Sequence, residues 1–296
     1  ASGYITVVAD YPGLGDNHDV HPYCTKTLGP VVTSMMQAAR EHLANLAASG
    51  SWKGSWNGEL NLMGYSEGGY ATVVTAQDVQ QNHKEYTLKK VAPLDGPHSL
   101  SDTMRNLMLT ADSSFSAPYF LPYVVDGFGA AYGSTVSIMK FENAVVTVKV
   151  KNPQTGVEED FNPNLRIKLN GDYSGEAISS YMRLVSNYKG PSSILTPGFI
   201  EGLKDTGSSV YEKLLINDAV YGWTPNDSTK LRFIHFYWDD LVPYGNSSVA
   251  YKAWKNKSNV ELYPFFHYIP FLGSRHAGAL IPALIYGFNW IHHDLE

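Results

Sequence analysis

The stretch LNLMGYSEGGYATVVTAQ, residues 60–77, constrains the fold more than any other part of the chain. Residues 60–64 are a short apolar run. Gly64-Tyr65-Ser66-Glu67-Gly68 follows, and residues 70–79 then take up a helical pattern. A buried strand that turns straight into a helix needs a tight corner. The two backbones approach closely there, and a Cβ two residues to either side of the serine would crowd them. The central residue of such a corner takes a positive φ, which lifts the Ser66 side chain above the strand ends. The helix that follows aims its first peptide N–H groups at the same point. The N–H of Glu67 is therefore a candidate donor to a developing oxyanion.

The rest of the chain fits a sheet built around this corner. Residues 4–9 (YITVVA) are apolar and β-branched, as a buried parallel strand requires, and residues 10–15 (DYPGLG) read as a turn. Residues 31–48 are periodic as a helix, with Met35, Met36, Ala39, Leu43 and Leu46 able to share one face. Residues 88–93, 231–237 and 260–266 read as further strands. Residues 277–292 read as a last helix with Pro282 near its start, where proline is best tolerated. This alternation predicts an α/β fold with a doubly wound, mostly parallel sheet. Residues 99–225 break the rhythm. Helical stretches at 118–132 and 176–188 flank a candidate hairpin, with residues 145–150 as one arm and a turn at 152–156. The expected organisation is a core of residues 1–98 and 226–296 carrying an inserted helical cap or lid, residues 99–225.

Composition narrows the partners. A chain of 296 residues with 44% hydrophobic residues can bury a sizeable core. The net charge is −6 and the Lys and Arg residues do not cluster, which argues against nucleic acid. No run approaches the roughly 18 apolar residues of a membrane span. No basic segment followed by an apolar one opens the chain, as a signal peptide would. The single cysteine, Cys24, has no partner for an internal disulfide, and no Cys/His spacing suits a metal. A charged fraction of only 17% suits an extracytoplasmic protein, secreted or periplasmic.

A serine hydroxyl at such a corner becomes a nucleophile only when a base takes its proton. In a strand–elbow–helix protein the partners follow in the order acid, then histidine. The acid belongs just past a strand end, and LRFIHFYWDDLVPYGNS offers Asp239, with Asp240 as its near competitor and Asp95 as a more distant one. The histidine belongs in the loop after the last strand. His276 opens the final helix and can reach back over the sheet, so it is preferred to His267. His235 within a strand and His98 in an early loop read as structural. His18, His21, His42 and His83 read as loop or helix-surface residues. His292 and His293, adjacent at the end, do not make a metal site. This chemistry calls for no metal or organic cofactor.

These segments together resemble the secreted lipase/esterase group of α/β-hydrolases, related to fungal secretory lipases and bacterial plant-associated esterases. VVADYPGLGDNHDVHPY is similar to the family's strand, Gly-rich turn and His-Pro-Tyr, GYSEGGYAT to its elbow, and DGP with the following SD to the lead into its cap. WDDLVPYGNS is similar to its acid loop, and HAGALIPALIYGFNW to its histidine loop and last helix. The resemblance implies ester hydrolysis by Ser66, Asp239 and His276 on a small-molecule ester or lipid, with Glu67 in the oxyanion site. Residues 118–132 (PYFLPYVVDGFGAAY) are apolar and aromatic, as a lid over an acyl groove would be and as a segment burying the insertion on the core would equally be; Tyr65, Tyr119, Tyr123 and Phe128 are the candidates to line a substrate groove, which would also suit a sugar-bearing ester. The family's sheet carries three strands ahead of the one matching residues 4–9. The third lies between that strand and residues 60–64, and its loop supplies a second oxyanion donor, worth about 3 kcal/mol. The expectation is thus a further N-terminal polypeptide that completes the sheet. A serine peptidase shares the triad, and a binding module on a hydrolase scaffold is a third reading.

Overall fold

The structure, a computed structural model, describes residues 3–14, 19–152, 155–185 and 187–293. Gly15 and His18, and Pro153 and Gln154 of the expected hairpin turn, lie outside the described residues. Helix α1 (Leu28–Ala48) leads to strand β1 (Glu59–Tyr65), helix α2 (Glu67–Asn82) and strand β2 (Thr87–Leu94). A helical region follows: α3 (Arg105–Thr110), α4 (Phe120–Tyr132) and α5 (Phe141–Ala144), the antiparallel hairpin β3 (Lys149–Lys151) and β4 (Glu158–Asp160), then α6 (Phe161–Leu169), α7 (Gly175–Val185), α8 (Pro197–Lys204) and α9 (Ser209–Ile216). The chain then returns through β5 (Lys230–Phe236), α10 (Gly245–Ala253), β6 (Val260–Phe265) and α11 (Arg275–His293).

Strands β1, β2, β5 and β6 pair in that order, all parallel. The central strands are apolar because both of their faces are covered. Leu231 and Phe233 belong to the large core shared with α2 and the helical region. Ile234 and Phe236 belong to a second core beneath α11 with Ala92, Leu94, Ala279 and Ala283. Each fully buried Phe among them contributes about 1.5–3 kcal/mol of transfer free energy. In α1, Met36 is buried and Met35, Ala39, Leu43 and Leu46 are half-buried on the same stripe, as their spacing predicts.

Two expectations are corrected. Residues 4–9 are not a strand, and Ile5, Val7 and Val8 are 45%, 43% and 83% exposed. A β-branched run becomes a strand only when a neighbour takes its N–H and C=O groups. Here β1 is the edge of the sheet, and a groove of about 610 Å³ lined by Tyr4, Ile5, Leu60 and Asn61 separates it from this segment. Pro282 is not near the start of its helix but inside it. Proline has no N–H for the carbonyl four residues back, Gly278. The N–H of Ile269 reaches that carbonyl instead, at 2.9 Å. The orphan left by the proline is thus filled by the loop that precedes the helix.

Candidate active site

Ser66 sits between β1 and α2 with φ +58, an uncommon value for a residue with a side chain. Two glycines make this possible, though not the pair expected. A Cβ on Gly64 would lie 2.3 Å from the Gly68 carbonyl oxygen, and one on Gly69 2.4 Å from the Leu94 carbonyl oxygen. Gly68 itself has room, its nearest neighbour being the Tyr11 hydroxyl at 4.0 Å. The close approach is therefore from α2 to β2 as well as from α2 to β1.

Three side chains from three strand ends meet at this corner. Ser66 Oγ lies 2.8 Å from His276 Nε2, and His276 Nδ1 lies 2.5 Å from Asp239 Oδ2. Asp239 is buried past the end of β5, and its Oδ1 accepts from the N–H groups of Leu241 (2.9 Å) and Val242 (2.8 Å). Burial works against the charge on Asp239, but the hydrogen bond and charge of His276 outweigh it and hold this carboxyl below its usual range. Asp240 does not compete for the ring. Its two oxygens accept from the backbone N–H groups of Arg275 (3.2 Å) and His276 (3.0 Å), the first turn of α11. The adjacent acids thus divide the work: one holds the imidazole and the other holds the helix that carries it. Tyr65 donates from its hydroxyl to the His276 carbonyl at 2.5 Å and lies against the ring.

The remaining histidines separate clearly. His267 bonds to the Tyr286 hydroxyl at 3.2 Å, away from Ser66. His235 is buried between Ser247 Oγ (2.7 Å) and the Val242 carbonyl (2.8 Å), and burial pushes it down to about 4. His98 is buried edge-on against Phe233. His21 is the residue that the sequence reading missed. It is buried, and its Nε2 lies 2.7 Å from Glu67 Oε1 and its Nδ1 2.7 Å from the Pro12 carbonyl. The N–H of Cys24, itself at φ +53, also reaches Glu67 Oε1 at 3.4 Å. The residue after the nucleophile is therefore tied to His21 and Cys24, and through His21 to Pro12. Only the adjacent acid in the elbow and the His-Pro-Tyr segment hinted at this.

Two clefts open on Ser66. One is narrow and apolar, about 40 Å³, lined by Leu100, Met104, Met108, Phe120, Leu121 and Val242. The other is open and polar, about 460 Å³, and lined by Tyr65, Glu67, Tyr119, Tyr123, Asn170 and Asp172 among others. Phe128 reaches neither; it is buried against Tyr132. Among the described residues, Asp95, His235 and Asp239 are the one group spaced as metal ligands could be. Both nitrogens of His235 and both oxygens of Asp239 already have partners.

A parallel sheet with helices on both faces, a strained serine at a strand–helix elbow and a histidine after the last strand define the α/β-hydrolase fold. Solved structures agree. A Legionella pneumophila protein carrying a provisional hydrolase assignment matches with a TM-score of 0.76 at 24% identity, over 98% of this chain and 70% of that one. LipA of Xanthomonas oryzae, a rice cell wall degrading esterase, matches with a TM-score of 0.63 at 19% identity, over 93% of this chain and 66% of that one. Candida antarctica lipase A matches with a TM-score of 0.56 at 14% identity, over 90% and 56%. No family model matches the chain, and no curated protein matches it in sequence. At these identities the likeness is one of fold.

Proposed function

We propose that the chain is the catalytic part of a serine ester hydrolase, a lipase or carboxylesterase. The observation that carries this reading is the unbroken hydrogen-bonded series Ser66–His276–Asp239 at a residue with positive φ. His276 takes the Ser66 proton, and the alkoxide attacks an ester carbonyl. The Glu67 N–H, at the first position of α2 where it has no acceptor within the helix, faces the oxyanion. His276 then protonates the leaving alcohol, and water repeats the cycle on the acyl-enzyme. Asp239 fixes the tautomer by accepting from Nδ1–H.

The two clefts support a division of the substrate. The narrow apolar one suits the acyl group, and the open polar one, with Tyr65 and Tyr119 in its wall, suits a polar alcohol such as a sugar. Residues 99–225 act as the cap, since both clefts draw lining residues from them. The open edge of β1 and the groove beside it suit one more strand of polypeptide, which would add the second oxyanion donor. No helix among the described residues is long and apolar enough to cross a membrane, and the low charged fraction suits a location outside the cytoplasm.

The test is hydrolysis of p-nitrophenyl esters of varied chain length against aminoacyl-nitroanilides, with Ser66→Ala as control and intact-mass analysis of the native material. Ester turnover that Ser66→Ala abolishes, with the fold retained, is expected. Preference for the anilides would instead make the protein a peptidase, and full turnover by Ser66→Ala would remove the nucleophile.

A further inference from the structure

Asp95 stands one residue past β2 on the same rim of the sheet as Ser66 and Asp239, and the reaction outlined above does not use it. It is fully buried, at φ +46. Its backbone N–H donates to the Ile234 carbonyl (3.0 Å), and its Oδ1 accepts from the Phe236 N–H (2.8 Å), so both ends of the residue are pinned to β5. Its Oδ2 is buried, and no N–H or hydroxyl among the described residues donates to it. A bare carboxylate oxygen in the interior is strongly disfavoured. It is more so here, because ligand atoms of Asp95, Asp239 and His235 all lie within 4.8 Å of one another.

Among the described residues, nothing that faces Asp95 supplies a balancing positive charge. His235 Nε2 lies 3.8 Å from Asp95 Oδ1, but that nitrogen donates to the Val242 carbonyl, and burial pushes the imidazole down to about 4, so it is uncharged at neutral pH. His98 is buried and held uncharged by that burial. Tyr65 is held neutral by burial first and by the charge of Asp239 as well. His276 is already committed to Asp239, and Asp240 adds negative charge of its own.

We propose that Asp95 is a positioning residue of the triad: an uncharged carboxylic acid packed behind Asp239, which offers that carboxylate a proton on its far side and leaves the pair's one negative charge for His276. Two carboxyl groups this close in a dry site share one proton, and their environments decide which keeps it. Burial first, and then the Asp239 charge, push Asp95 well above the carboxylate range, opposite in direction to Asp239. A neutral carboxyl can hold the triad acid in place without competing for the imidazolium, as a second carboxylate would.

This inference rests on the triad reading above. It is tested on the whole chain, selectively 13C-labelled at aspartate carboxyls, by NMR at neutral pH. One resonance at the protonated-carboxyl position is expected in the wild type, and Asp95→Asn removes it. In pH–rate profiles on a p-nitrophenyl ester, Asp95→Asn keeps kcat within about threefold and leaves the acid limb of kcat/KM unmoved, because it replaces one neutral donor by another. Asp95→Ala, which removes the donor, lowers kcat about tenfold at unchanged KM. No protonated carboxyl in the wild type overturns the proposal, whether or not the variants fold. A downward move of the acid limb by about one unit in Asp95→Asn also overturns it, because that is the signature of a lost negative charge near His276. A fluorophosphonate probe on Ser66 keeps the two ideas apart. Absence of labelling fails the triad itself, whereas labelling without the protonated carboxyl fails only the role of Asp95.

Discussion

Replacing His21 by alanine should impair both stability and turnover, and the structure sets the size of each effect. The His21 side chain is 1% exposed and its Glu67 partner 17%, so water screens their 2.7 Å contact poorly. Burial works against a charge on His21, but the Glu67 hydrogen bond and charge outweigh it, with help from the Pro12 carbonyl, and raise its pKa above 6.5. A hydrogen bond to a charged group contributes about 1.5–3 kcal/mol and a neutral one about 1 kcal/mol. Losing both should cost about 3 kcal/mol, less whatever a water entering the space restores. The catalytic effect comes through Glu67. Its backbone N–H is the proposed oxyanion donor, and its side chain is what His21 and the Cys24 N–H hold. Complete loss of one such donor costs about 10²–10³ in kcat. A loosened donor should cost about 10- to 100-fold, with KM nearly unchanged because the donor serves the transition state. The raised pKa also fixes the sign of the pH dependence. The stabilisation by this pair is full below the unfolded histidine value and fades as pH rises through the higher folded one. Urea denaturation across that range, paired with steady-state kinetics on a p-nitrophenyl ester, reads both effects. A variant that loses stability yet keeps kcat within twofold would refute the link from His21 to the oxyanion site. A wild type whose stability does not decline as pH rises past the unfolded histidine value, running parallel to that of His21→Ala, would refute the charged pair itself.

The division between the two adjacent acids gives a sharper contrast. Asp239→Asn should lower kcat by about four orders of magnitude, as loss of the orienting acid does in the serine-protease template. Asp240→Asn should cost about 1 kcal/mol of stability and little activity, since it weakens only the cap of α11; similar losses of kcat in both would show that the assignment is wrong. At the elbow, Gly64→Ala should give little folded protein, because the added methyl meets the Gly68 carbonyl at 2.3 Å, whereas Gly68→Ala has open space on that side. Soluble yield and thermal melting compare the two, and equal tolerance would contradict the close approach.

Much of the architecture follows from local pattern. The strands at β1, β2, β5 and β6 are each rich in apolar residues, and their starts and ends fall within a residue or two of the expected bounds. The elbow is legible because tight turns need glycine, and the choice of Asp239 and His276 follows from the order in which strand ends arrive along the chain. The hairpin is legible too, though only Lys149–Lys151 and Glu158–Asp160 pair. Phe128 illustrates the limit. An aromatic in an apolar helix reads the same whether it lines a cleft or fills the core, and here it fills the core.

The sequence by itself determined the strand–elbow–helix corner, the rhythm of the parallel sheet and the set of candidate side chains, because glycine sterics and apolar periodicity act over a few residues. Tertiary structure alone decided which candidates meet. The bonds that matter join residues 37, 46 and 210 positions apart: His276 to Asp239, His21 to Glu67, and His276 to Ser66. It also left residues 4–9 without a pairing neighbour and gave the Gly278 carbonyl to Ile269. A backbone or side-chain polar group takes whichever partner packing brings within about 3 Å, and no local pattern of residues encodes that choice.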